Sequence, residues 1–256
     1  MKIRLLPSIA GRESQLQCLT SFLIDDRLAI DGGSIGFALL PPQLGSIRHI
    51  IVTHSHNDHI ASLPIYVAEA FSTLDSPIVI HAAAEVIAAL REFVFNDQVA
   101  PNFEAIQLNG GSGPTLRYEE MQTRKKVTIG GIDVTPIPVN HIVPTVGLLT
   151  EAESASVLFT SDTYTTDEIW QVAKEVKNLK AVFVDVSFPN EMGELAAVSK
   201  HLTPELLASE LKKLNRAVQV IAIHIKPTNR DDVVRQLGLM KHQQVSVGEI
   251  DRVYEW

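Results

Sequence analysis

Six consecutive residues carry the densest coordination chemistry in the chain: His54, Ser55, His56, Asn57, Asp58 and His59. They follow "IRHIIV", an apolar, β-branched segment of the kind that forms a buried strand. His54 and His56 are two residues apart, so an extended backbone turns both to one side. Asp58 and His59 come where the chain turns into the next helix and can aim back at the same place. Neutral imidazole nitrogens and carboxylate oxygens suit zinc, iron or manganese. Four such ligands exceed what one catalytic tetrahedral ion takes while keeping a position open. The economical reading is two ions, with His54 and His56 on one and Asp58 and His59 on the other. The competing reading is a polar helix start, but three of the chain's nine histidines fall in this run.

Two ions need further donors, and the ends of apolar strands offer them. His141 ends "VTPIPVNH", Asp162 ends "SVLFTSD" and His224 ends "VQVIAIH". Each alone fits a structural strand-end residue better than a ligand. Together they supply a third ligand for each ion and a bridging carboxylate. Asp31 follows "LAI" and precedes Gly32 and Gly33. It is suited to accept a hydrogen bond from a ligand imidazole and so fix its tautomer.

The elements that must position these residues are strands and helices in mixture. "LTSFLI", "LAI" and "HIIVT" read as strands, "SLPIYVAEAF" as a helix, "SPIVIH" as a strand and "AAEVIAALREFVF" as a helix. The second half repeats the plan. The strands "KKVTIGGIDVTPIPVNH", "TVGLLTE" and "SASVLFTSD" precede the helix "TTDEIWQVAKEV" and the strand "LKAVFVDVSF". The helix "TPELLASELKKL" has Thr203 as N-cap and Pro204 at its first position. The strand "AVQVIAIH" and the helix "NRDDVVRQLGL" follow. "NGGSGPTLRYEEMQTRK" reads as an exposed loop or flap between the halves. With no repeat and no linker, residues 1–256 are expected to form one α/β domain. Two sheets face to face with helices outside would satisfy the pattern.

Composition limits the partners. The net charge is −8, whereas a general binder of duplex nucleic acid needs a basic surface. A small phosphate ester in a locally positive site remains compatible. Cys18 is the single cysteine, so no disulfide can form within the chain. Pro7, Gly11 and Arg12 interrupt any signal-like apolar core, and no apolar run is long enough to span a membrane. The expectation is a cytoplasmic protein that does not engage a membrane.

The H-x-H-x-D-H run, the later His, Asp and His at strand ends and the Asp-Gly turn resemble the metallo-β-lactamase superfamily. That resemblance implies an αββα four-layer sandwich with two mixed sheets and a dinuclear site. One metal would take His54, His56 and His141, the other Asp58, His59 and His224, and Asp162 would bridge. Within the superfamily the chain is most similar to class II cyclic-nucleotide phosphodiesterases. The matching stretches are "LTSFLIDDRLAIDGGSIGFAL", "VTHSHNDHIASLP", "VFNDQVAPNF", "PVNHIVPTVGLL", "LFTSDT", "VDVSFPN" and "HLTPELLASEL". The family implies hydrolysis of a 3′,5′-cyclic phosphodiester (cyclic AMP or cyclic GMP) with two divalent ions, zinc first and manganese or iron as alternatives. It also makes a homodimer plausible. Other superfamily hydrolases stay open: a tRNA 3′ endonuclease, or a lactone or thioester hydrolase. The endonuclease needs a basic arm, which only "TRKK" hints at.

Asp58 and His201 are the expected catalytic side chains. His201, in "SKHLTPE", reads either as a surface histidine at a helix start or as proton donor to the leaving oxygen, and phosphodiesterase and tRNA-processing relatives carry a similar His-x-Thr. Asn96 and Asp97 read either as a helix C-terminal turn or as substrate contacts. His49 and His242 read as structural or exposed, and His81, which ends a strand, is less decided. Lys226 is either a solvated lysine or a phosphate contact.

Overall fold

The computed structural model describes residues 1–11, 14–40, 43–111, 113–240 and 245–256. His242 lies outside the described residues. The first sheet holds β1 (Lys2–Leu5), β2 (Phe22–Ile24), β3 (Leu28–Ile30), β4 (His49–Ile51), β5 (Ile78–Ala82), β6 (Leu116–Glu120) and the C-terminal β14 (Val253–Glu255). Its order is β14-β1-β2-β3-β4-β5-β6. The second holds β7 (Val127–Ile129), β8 (Ile132–Pro138), β9 (Val146–Glu151), β10 (Ser156–Phe159), β11 (Leu179–Asp185), β12 (Gln219–Ile223) and β13 (Val245–Val247). Its order is β13-β12-β11-β10-β9-β8-β7. Both sheets are mixed. In the first, β1 to β3 and β14 pair antiparallel and β3 to β6 parallel. In the second, β7 to β10 pair antiparallel and β10 to β13 parallel.

The period-2 alternation of strand side chains builds three apolar layers. Phe22, Ile24, Leu28, Ile30 and Ile51 meet Val157, Phe159, Ala181, Phe183 and Ile221 between the sheets. Leu23, Ala29 and Ile50 face outward against the one-turn helix α1 (Ile35–Ala38) and helices α3 (Leu63–Ala70) and α4 (Ala84–Phe93). Leu158, Val182, Val184 and Ala222 face the other way. There they meet α5 (Glu168–Glu175), α7 (Pro204–Leu214) and α8 (Arg230–Gly238). The result is the expected four-layer αββα sandwich. As expected, Thr203 caps α7, its hydroxyl accepting from the Leu206 N–H at 3.3 Å.

The expected flap is in part a strand. β6 pairs parallel with β5 over five residues, and Leu116 is fully buried. "LRYEE" reads as solvent-facing because this is an edge strand, whose charges face water and discourage further pairing. Conversely, "KKVTIGGIDVTPIPVNH" is two strands. Gly130 (φ 55°) and Gly131 (φ 79°) form the two-residue hairpin turn between β7 and β8, where positive φ is required. Strands β1, β13 and β14 and the short helix α6 (Gly193–Ser199) are not legible from sequence because they are brief and interleave apolar with polar or charged residues.

Candidate metal centre

The cluster forms where strands of both sheets end. Asp31 follows β3, His54 follows β4, His141 follows β8, Asp162 follows β10 and His224 follows β12. Asp58 and His59 sit on the one-turn helix α2 (Asn57–Ile60). Asp31 (φ 60°), Ser161 (φ 54°) and His224 (φ 61°) take the left-handed backbone that non-glycine residues avoid. Each costs about 1–3 kcal/mol and turns the chain sharply at the strand end, so that side chains converge. Gly33 is required by close approach. A Cβ there would stand 2.0 Å from the Asp58 carbonyl oxygen and 2.7 Å from that of Thr20.

His54, His56, His141 and Asp162 form one set with donor atoms within 4.8 Å of one another. Asp58, His59 and His224 form a second, and Asp162 reaches both. Asp162 Oδ2 is 3.6 Å from His54 Nε2 and 3.4 Å from His224 Nε2; its Oδ1 is 3.3 Å from His59 Nε2. His56 Nδ1 and His141 Nε2 are 3.1 Å apart, and the Nε2 atoms of His59 and His224 are 3.4 Å apart.

Hydrogen bonding on the far side of each ring decides which nitrogen is bare. Thr53 Oγ1 has one proton and lies 2.9 Å from Asp31 Oδ2, a carboxylate oxygen that can only accept it. His54 Nδ1, 3.1 Å from the same hydroxyl, is therefore the donor, which leaves Nε2 bare. His59 Nδ1 donates to Asp31 Oδ2 at 2.7 Å, and His141 Nδ1 donates to the Lys200 carbonyl at 3.1 Å. His224 Nδ1 donates to Ser187 Oγ at 3.0 Å, while Ser187 donates to Asp185 Oδ1 at 2.7 Å. With the ring neutral, these partners leave a lone pair on Nε2 of His54, His59, His141 and His224 aimed into the cluster.

The donor set fits divalent cations. His54 Nε2 is buried with no hydrogen-bond partner, an arrangement that costs about 1–3 kcal/mol unless something satisfies it. Donors bound at about 2.0–2.1 Å in a tetrahedron stand about 3.3–3.4 Å apart, close to the separations here. Burial, foremost, lowers the pKa of His54, His56 and His141. Burial also opposes charge on His59 and His224, but there carboxylates prevail. Asp162 and Asp31 raise His59 well above the imidazole range, and Asp162, Asp185 and Asp58 raise His224 to about 9. Burial pushes Asp162 up, yet His224 and His59 hold its carboxyl well below the usual range. Occupancy of the second set by a cation would therefore release protons.

His201 offers a ring nitrogen within 4.8 Å of donor atoms on Asp162 and His224, and its ring stacks on His224 at 5.3 Å. It is buried, not a surface histidine. Its Nδ1 donates to Asp185 Oδ2 at 2.7 Å. Asp185 is fully buried and also accepts from the Thr163 N–H at 3.2 Å. Burial raises its carboxyl, but His201 outweighs this and brings it down to about 2. Asp185 and Ser187 were not singled out from sequence. The signal was there: Asp185 is the one charge in "AVFVDV", at a strand end like Asp31 and Asp162.

Asn96 and Asp97 form a turn. Asn96 Oδ1 accepts from the Gln98 and Val99 N–H groups, and its Nδ2 donates to the Glu92 carbonyl at 2.9 Å. Asp97 (φ 64°) accepts from the Asn102 N–H at 2.8 Å. None of these bonds reaches the cluster. His49 and His81 face each other across β4 and β5 at 3.0 Å, away from the donor sets. No helix among the described residues is long and apolar enough to cross a membrane.

A family model for the beta-lactamase superfamily domain matches residues 33–225. A probable 3′,5′-cyclic-nucleotide phosphodiesterase of Yersinia pestis is 30% identical over 226 residues, 78% of this chain. The chain spans 63% of that relative's length. Among solved structures, unliganded yeast PDE1 superposes with a TM-score of 0.76 at 17% identity, covering 98% of each chain. The metallo-beta-lactamase fold protein YhfI of Bacillus subtilis gives 0.75 at 14% identity, covering 99% of each. The matched span runs from the turn after Asp31 past His224, and on that ground the chain belongs to the beta-lactamase superfamily, in its metallo-β-lactamase fold.

Proposed function

We propose that the chain is a metal-dependent phosphodiesterase that opens 3′,5′-cyclic nucleotides to nucleoside monophosphates. The observation that carries the reading is the pair of donor sets joined by one buried carboxylate, Asp162, with His201 beside it. Similarity to the Y. pestis protein supports the substrate class. His54, His56 and His141 would hold one divalent ion and Asp58, His59 and His224 the other, with Asp162 shared. Zinc suits these donors first, and manganese or iron also fit. When bound, such ions supply Lewis acidity, lower the pKa of water and neutralise phosphate charge.

The chain's own residues do the rest. Asp58 Oδ2 accepts from Lys226 Nζ at 3.2 Å and lies 3.1 Å from the bare His224 Nε2 beside it. Asp58 Oδ1 accepts a hydrogen bond from the attacking water. As the water oxygen bonds to phosphorus, it passes one proton by way of Asp58 Oδ1 to solvent, and the bond from phosphorus to a ribose oxygen breaks. A ribose alkoxide leaves poorly, so protonated His201 gives its Nε2 proton to that oxygen. Asp185 holds the other ring nitrogen and stabilises the imidazolium before transfer. Elemental analysis of protein purified without chelator should find about two transition ions per chain, and Asp162→Ala should lower occupancy and activity together. A fully active, metal-free protein would refute the proposal.

A further inference from the structure

Lys226 brings an ammonium to the edge of the donor cluster. Its Nζ is 3.2 Å from Asp58 Oδ2, the same oxygen that meets His224 Nε2. The backbone at Lys226 is fixed at both polar groups. Its N–H donates to the Ser187 carbonyl at 3.3 Å, and its carbonyl accepts from the Asn229 N–H at 2.9 Å. Pro227 starts the following 3₁₀ turn, and His224, two residues earlier, turns the chain in the left-handed region. The lysine is thus presented from a rigid strand end, not from a loose surface loop.

An ammonium has three N–H donors, and the Asp58 contact uses one. The Lys226 side chain is one-third exposed (33%) and that of Asp58 29%, so this edge of the cluster is open to solvent. In the proposed function, Asp58 belongs to the donor set of a cation, and an ammonium beside its carboxylate would then meet like charge. It needs a second anion. A phosphodiester brings two non-bridging oxygens and one negative charge. A neutral lactone or thioester brings none.

We propose that Lys226 is a substrate-charge contact of this site, donating to a non-bridging phosphate oxygen and selecting anionic phosphoesters over neutral esters. The inference rests on the metal-dependent reading above. Its test uses the metal-loaded full chain with inorganic phosphate as probe, titrated calorimetrically into wild type, Lys226→Gln and Lys226→Arg, with metal content measured on each. Loss of one charge-assisted hydrogen bond should weaken phosphate binding about tenfold to a hundredfold in Lys226→Gln, with both ions retained. Lys226→Arg should recover most of that loss. On bis(p-nitrophenyl) phosphate, Lys226→Gln should raise KM more than it lowers kcat. Undiminished phosphate affinity in Lys226→Gln would overturn the proposal. So would loss of metal in parallel with affinity, which would make the ammonium a holder of Asp58. If wild type leaves cyclic nucleotides intact while phosphate binding still depends on Lys226, the phosphodiesterase reading fails and this contact stands.

Discussion

His201 and Asp185 share a 2.7 Å hydrogen bond in a fully buried setting, and the two residues can be tested separately. If His201 protonates the leaving oxygen, its loss matters most when that oxygen leaves poorly. General acid catalysis is worth about 10²- to 10⁴-fold. His201→Ala should slow cyclic-nucleotide hydrolysis within that range and keep its metal. A p-nitrophenyl phosphodiester, whose leaving group needs no proton, should suffer much less. Equal losses on both substrates would make His201 a holder of phosphate or structure. Asp185→Asn keeps the shape but removes the charge behind the imidazole, so it should reproduce the leaving-group dependence in milder form. An Asp185→Asn rate equal to wild type on cyclic nucleotide would separate the two residues. At this scale the sequence was readable where a side chain ends a strand beside others of its kind, as with His54, His56, Asp58 and His59. Asp185 escaped notice because its partner His201 is 16 residues away, and only folding brings them together.

Between β3 and α2, backbone meets backbone at Gly33, where a methyl group has no room. Gly33→Ala should cost about 1–3 kcal/mol or more and loosen the turn that carries Asp58 and His59. Gly193→Ala, at the start of α6, meets nothing within 4 Å and should be near neutral. Denaturant midpoints compare the two, and equal effects would contradict the packing argument. The facing pair on β4 and β5 sets a pH test. Burial first, then His49, depresses the pKa of His81 from 6.5 to about 4. A folded pKa below the unfolded value means stability present above about pH 6.5 and lost as pH falls through about 4. His81→Gln should therefore flatten the stability profile across that window relative to wild type, and parallel profiles would rule the pair out. Helices α3, α4, α5, α7 and α8 were legible from 3.6-residue periodicity, and β10 to β12 from apolar runs. β6 was not, because an edge strand carries the same charged residues as a loop until its partner β5 is known.

β14 pairs with β1, so the last strand closes the sheet that the first one opens. The layer between the sheets joins residues from β1 to β14. One domain over residues 1–256, the sequence expectation, predicts a single unfolding transition that superposes by fluorescence and far-ultraviolet circular dichroism. Two separated transitions would contradict it. Metal removal should lower its midpoint. At free metal a thousandfold above Kd, binding adds about 4 kcal/mol, equivalent to about 10 °C for a chain of this size. The overall architecture was legible because two similar halves each end strands in acids and histidines. The pairing of those ends across two sheets came from the family resemblance and not from the strand pattern, since it depends on contacts between the halves. The central claim concerns the bond that is cleaved, and a rate panel on one metal-loaded preparation tests it most directly. Cyclic AMP, 2′,3′-cyclic nucleotides, precursor tRNA, a thioester and a lactone are offered with Asp162→Ala alongside. Cyclic AMP should be opened to a nucleoside monophosphate fastest, and Asp162→Ala should lower that rate together with metal occupancy. Efficient cleavage of tRNA with cyclic nucleotides untouched would contradict the account.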